Sequence, residues 1–176
     1  MARLRTTRNP LVVAASVLAV AAAGAAGWGG WERYAAAHDD AAAYAAARDA
    51  ALAAGEQAVQ NMNTLDHAKV ERGLDRWEDS TTGDLHSQLV DGRAAFVKQI
   101  EAARTVSTAE ILSGAVTELD ERAGRAGVMV ALRVTVTAPE GKPAVKESRM
   151  LGQLTRTPEG WKLSALGQAP VGNTAG

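Results

Sequence analysis

Few side chains in this sequence could move a proton or hold a metal, and they fall into three short groups. Asp66 stands beside His67, Asp84 lies two residues before His86, and His38 precedes Asp39 and Asp40. A carboxylate close to an imidazole is the raw material of general acid–base catalysis, because one group orients or charges the other near neutral pH. That chemistry also needs a cavity that displaces both pKa values, and a donor facing the base. The first two pairs lie where helices are expected to begin. There an acid complements the helix dipole and a histidine is a surface residue, and this is the preferred reading. The His38 group reads as a solvated charged patch. No H-x-x-x-H or H-E-x-x-H spacing occurs, and no glycine-rich phosphate loop follows a strand. The absence of cysteine excludes disulfides, thiolate metal sites, iron–sulfur clusters and cysteine nucleophiles. The sequence therefore predicts no catalytic, cofactor-binding or metal-binding residue, and a protein that is not an enzyme.

The elements that would position any site begin with an uncharged segment. Arg3, Arg5 and Arg8 precede Leu11–Trp28, a run of about 18 residues without charge that rises about 27 Å as a helix. Leu11, Val12, Val13, Val17, Leu18 and Val20 supply its apolar bulk, and Trp28, Trp31 and Tyr34 follow at the depth of an interfacial aromatic belt. The leading arginines place the N-terminus in the cytosol and the remainder outside. A cleaved signal peptide ending at Ala21-Ala22-Ala23 is the competing reading. The expected localisation is the cell membrane, crossed once. A formal net charge of −1 gives no electrostatic footprint for nucleic acid.

Tyr34 to Met62 is almost pure helix former, with Leu52, Gly55, Val59 and Met62 on one face. Before Leu52 that helix has little to bury and reads as a stalk. A second helix, capped by Asn63 or Thr64, carries the stripe Val70, Leu74, Trp77. Thr81 and Asp84 have capping-box spacing for a third helix, striped by Leu85, Leu89, Gly92, Phe96, Ile100 and Ala103. After Arg104 the period becomes two. Val128, Val130, Leu132, Val134 and Val136 alternate with outward residues, Thr105–Leu119 reads as a preceding strand, and Ala144–Arg156 and Trp161–Gln168 as two following ones. Helices followed by an antiparallel meander make an α+β domain. The predicted boundaries are a basic cytosolic tail over 1–10, a transmembrane helix over 11–31, a helical stalk over 32–51, the α+β domain over 52–169 and a disordered tail over 170–176. Trp77, Phe96 and Trp161 are the aromatic residues that could line an apolar cleft, although aromatics at stripe positions are more often core.

Asn63-Thr64-Leu65-Asp66, Thr81-Thr82-Gly83-Asp84-Leu85, Gly127-Val128-Met129-Val130 and Gly160-Trp161-Lys162-Leu163, in this order of elements, resemble the Mce-associated membrane proteins of actinobacteria. The resemblance implies an NTF2-like or VirB8-like cone of helices packed on a four-stranded antiparallel sheet. It also implies a scaffold role beside an Mce-type lipid importer, with the membrane and other envelope proteins as partners. VirB8-like components of conjugation or secretion channels share the layout, and an apolar ligand such as a lipid inside the cone is a further alternative. The family contributes no catalytic residues to carry over.

Overall fold

The computed structural model describes residues 10–170, and the side chains of residues 10–30, 32 and 35–38 lie outside that description. All but Pro10 of the expected cytosolic tail over 1–10, all but Pro170 of the expected tail over 170–176, and the anchor side chains Leu11, Val12, Val13, Val17, Leu18, Val20 and Trp28 are thus outside the described residues. Among the described residues no helix is long and apolar enough to cross a membrane. The chain divides into two compact units, Met1–Ala45 and Ala46–Gly176.

In chain order the elements are α1 (Pro10–Met62), β1 (Leu65–Asp66), one 3₁₀ turn (His67–Lys69), α2 (Val70–Asp79), α3 (Gly83–Ala103), β2 (Val106–Asp120), β3 (Arg125–Thr137), β4 (Ala144–Thr157) and β5 (Gly160–Gln168). Within the first unit Trp31 is exposed and makes a tilted ring contact with Tyr34, their centroids 6.4 Å apart.

The second unit is built on one antiparallel sheet in the order β1-β2-β3-β4-β5. The expected four-stranded sheet is therefore corrected to five strands. The extra one, Leu65–Asp66, has only two residues, too short for any alternation to reveal, and it pairs with Val106 and Ser107 at the start of β2. Period-two patterning in β3 places Ala126, Val128, Val130 and Leu132 on one face, all buried. Leu154 and Leu163 from β4 and β5 join them, and α1 seals this face with Ala51, Ala58 and Val59. Full burial of each leucine contributes about 1.5–3 kcal/mol. Gly55 is the point of closest approach: a Cβ there would stand 2.8 Å from a Val128 methyl. The face that α1 buries thus runs through Ala51, Gly55 and Val59, whereas Leu52 is only half-buried.

A second cluster holds the shorter helices. Leu65, Val70, Leu74 and Trp77 are buried there, with Leu89, Phe96, Val97 and Ile100 of α3 packed against them. The stripe expected for the second helix is the one it buries. Its start differs from expectation, because the caps are spent elsewhere. The Thr64 hydroxyl accepts from the Ala109 amide, Asn63 Nδ2 donates to the Val59 carbonyl, and Asp66 caps the 3₁₀ turn through the Ala68 amide at 2.9 Å. The expected Thr81–Asp84 capping box does not form either. Thr81 is buried and its hydroxyl donates back to the Trp77 carbonyl at 2.9 Å, while Thr82 takes the N-cap position of α3. Residues Ser80–Thr82 then run along β5. The Thr82 amide donates to the Leu163 carbonyl and the Leu163 amide to the Ser80 carbonyl, both at 2.9 Å.

Candidate functional site

Among the described residues, the titratable groups singled out in the sequence do not converge on one site, and the His38 side chain lies outside that description. Asp66 and His67 share the 3₁₀ turn, with a His67 Nδ1 to Asp66 Oδ1 separation of 3.7 Å, but the carboxylate already caps that turn. His67 Nδ1 is shielded from solvent without a hydrogen-bond partner. His86 turns toward the end of α2, with Nδ1 3.1 Å from the Glu78 carbonyl oxygen and 3.5 Å from the Thr81 hydroxyl. Asp84 is exposed in the first turn of α3. Among the described residues no cluster of three metal-ligating side chains forms.

The aromatic residues considered for a cleft divide between the two clusters. The Trp77 indole nitrogen donates to the Asn61 carbonyl at 2.6 Å, and its ring meets Phe96 with centroids 5.3 Å apart. Trp161 packs on the sheet core instead, with the Arg156 guanidinium 5.9 Å above its ring. Trp77 and Phe96 are thus neighbours, and Trp161 belongs to a different part of the domain.

Two arginines organise the charged surface, and neither was singled out from the sequence. Glu71, Asp75 and Glu78 project from one side of α2, and all three converge on Arg93 of α3; the Asp75 and Glu78 contacts are 2.7 and 2.6 Å. Hydrogen bonds to Glu71, then Glu78, then Asp75 raise the Arg93 pKa further above its already high value. The carboxylate spacing of four and three residues was the available signal; the partner lies on another helix, beyond any local pattern. On the sheet, register brings Glu110 of β2 and Glu147 of β4 to either side of Arg133 on β3. Arg133 contacts Glu147 at 2.9 Å and Glu110 at 3.1 Å, and first the Glu147 bond, then the charges of both acids, raise its pKa.

Arg133 belongs to the sheet face turned away from α1. Strand alternation and register assemble Ala115, Met129, Ala131 and Leu151 on that face, beside Leu112, the residue skipped by the register shift between Ile111 and Ser113. Leu112 and Met129 are both exposed. At the end of this strip a groove of about 360 Å³ is lined by Leu112, Ala131, Glu147, Ser148, Arg149, Ala169 and Pro170. Its wall is held by the Ala169 amide, which donates to the Arg149 carbonyl at 2.8 Å. The arrangement offers an apolar floor and charged rims, which suits contact with another molecule better than covalent chemistry.

Residues 10–168 match the family described as "Uncharacterized protein Rv1363c/MT1408-like". The chain belongs to this Rv1363c/MT1408-like family. Comparison with curated proteins found no match. Solved structures extend the picture for the fold of this Rv1363c/MT1408-like chain. It superposes on an IcmL-like type IV secretion system protein of Legionella pneumophila with a TM-score of 0.55, at 11% identity, over 68% of this chain and 90% of that one. The periplasmic domain of DotI gives 0.54 at 16% identity, over 68% and 93% of the two chains. VirB8 of Agrobacterium tumefaciens gives 0.51 at 9% identity, over 69% and 92%. At such identities the likeness is one of fold, and the α+β domain is VirB8-like.

Proposed function

We propose that this Rv1363c/MT1408-like protein is a non-enzymatic accessory scaffold of a cell-envelope assembly. In this reading it is anchored by a single N-terminal helix, with its cytosolic end carrying Arg3, Arg5 and Arg8 and the VirB8-like domain outside the membrane. One observation carries the proposal: the domain fills the inner face of its sheet with its own side chains and leaves an apolar strip bare on the outer face. A catalytic cone inverts that layout, with polar groups converging inside. The IcmL-like protein of like fold is named as a type IV secretion system protein, which supports an assembly role.

The finer assignment is to an Mce-type lipid importer, whose subunits would be the partners; its support is the sequence resemblance. A conjugation or secretion apparatus is the second reading, and the fold likeness favours it. A lipid held inside the cone has less support, since Trp77 and Trp161 pack in separate clusters. Deletion and complementation separate these readings. Loss of lipid uptake, restored by His67→Ala, His86→Ala, Asp66→Asn and Asp84→Asn variants at normal abundance, is expected for the importer scaffold. Loss of DNA or protein transfer with uptake intact assigns the chain to a secretion apparatus. Failure of one conservative variant at normal abundance replaces the scaffold with an enzyme or a polar-ligand site.

A further inference from the structure

We infer that the groove at the end of the outer sheet face is a docking site for an apolar segment of a partner protein that carries a carboxylate, with Arg149 as its selecting charge. The inference rests on the scaffold reading and names the surface that reading leaves open.

Three observations lead to this occupant. Leu112 and Ala131 give an apolar floor, and Leu112 is 42% exposed. The groove is open along one side and has a volume of about 360 Å³, at the small end of the range of ligand-binding clefts. Its charges are unequal in availability. Glu147 is held by Arg133 at 2.9 Å, and Glu110 is drawn to the same guanidinium at 3.1 Å. Arg149 stands exposed on the adjacent row, and no carboxylate among the described residues lies within ion-pairing distance of it. An apolar floor beside an unspent guanidinium is complementary to an aliphatic side chain next to Asp or Glu, which the fork of an arginine holds in two bonds. An anionic membrane fits less well, because its continuous negative surface would meet Glu110 and Glu147 as well as Arg149, whereas a single carboxylate can be placed at Arg149 alone. A second copy fits less well too: the acids nearest Arg149 on the equivalent face are already taken by Arg133.

The test uses the full-length protein in its own cells, with the photoreactive probe placed by Leu112→p-benzoylphenylalanine and a control probe by Val90→p-benzoylphenylalanine on α3, which is also exposed. Mass spectrometry then identifies the cross-linked segment. The expected result is one partner segment, cross-linked from position 112 and not from 90, with Asp or Glu beside aliphatic residues. Arg149→Glu should lower the yield about ten-fold, by replacing attraction with like-charge repulsion. Reversing the partner's carboxylate to Arg should restore it. Arg149→Gln, which matches Arg149→Glu in shape without its charge, should give an intermediate loss, and melting of each variant should match the parent. Cross-links from position 112 to lipid, to another copy of this chain or to nothing overturn the inference, as does a yield indifferent to Arg149→Glu. If the charge swap succeeds while the deletion strain assembles its envelope systems normally, the groove stands and the scaffold reading falls. If complementation requires the protein but cross-links arise only from position 90, the scaffold stands and the groove falls.

Discussion

Gly55→Ala should destabilise the domain, although an alanine inside a helix is ordinarily a gain. The helix term favours the variant by about 0.8–1 kcal/mol, through restricted freedom of the unfolded chain. Against it stands the contact with β3. The new methyl would lie 2.8 and 3.1 Å from the two methyls of Val128 and 3.3 Å from Leu154 Cδ1. Val128 is fully buried and stiff about its first side-chain torsion, so it cannot rotate away. Helix and sheet must separate by a few tenths of an ångström along their whole contact. Overpacking of this kind costs about 1–3 kcal/mol, leaving a net loss near 1 kcal/mol. That corresponds to about 3 °C in Tm for a domain of this size. Gly114→Ala is the internal control. The three atoms nearest its Cβ all belong to Glu56, whose carboxylate sits at the end of a flexible, half-exposed side chain, so its stability should stay within about 0.5 kcal/mol of the parent. Urea and thermal unfolding of the fragment from Tyr44 to Ala169, followed by tryptophan fluorescence, measure both. A Gly55→Ala variant as stable as the parent would refute the close-packing argument, because it would mean that α1 rides loosely on the sheet.

Other expectations can be checked on the same preparations. The Tyr44–Ala169 fragment should be folded by circular dichroism at neutral pH; an unfolded fragment would place the boundary wrongly. Leu132→Asp should unfold it, since an unpaired carboxylate at a fully buried position costs several kcal/mol, whereas Thr135→Asp on the outer face should be tolerated. The Thr157 hydroxyl bond to Glu159 holds that carboxyl below its ordinary range, so its stabilisation is present above the unfolded-state pKa and lost as pH falls through the depressed value. Glu159→Gln should therefore lower Tm at neutral pH, and the two curves should converge in acid. Full-length protein extracted from membranes should keep its N-terminus by intact mass; a start near Gly24 or Gly27 would show cleavage instead.

What the sequence revealed and what it hid follow a physical division. Alternation across Val128–Leu132 and the stripe Val70, Leu74, Trp77 are local records of burial, although Val136 at the end of the same pattern is exposed, and β3 and α2 lie where the patterns predict. Gly55 was also legible, as a gap in an otherwise side-chain-bearing helix face. The two-residue β1 leaves no periodic trace, because its pairing is set by the approach of β2, 40 residues later in the register Asp66 to Val106. The threonines misled for a related reason. Thr64 and Thr81 have cap chemistry, but the fold directs one hydroxyl to an Ala109 amide and the other to a Trp77 carbonyl. The groove was the least legible feature. Leu112, Ala131 and Arg149 belong to three strands, and which of their neighbours share a face depends on register shifts in β2 that no single strand encodes.

The backbone bonds between Ser80–Thr82 and Leu163 have a consequence for how copies of this domain could polymerise. A sheet with two open edges can propagate strand by strand into a fibre, as each added copy presents a new template. Here a strand adding along β5 would meet the α2–α3 linker at Leu163 and stop. The opposite edge, β2 beyond Ala109, is interrupted by shifts at Ile111/Ser113 and Val116/Glu118. Strand addition from that edge alone has no second end to continue from. Any such association closes at two copies, so crowding would yield pairs rather than filaments.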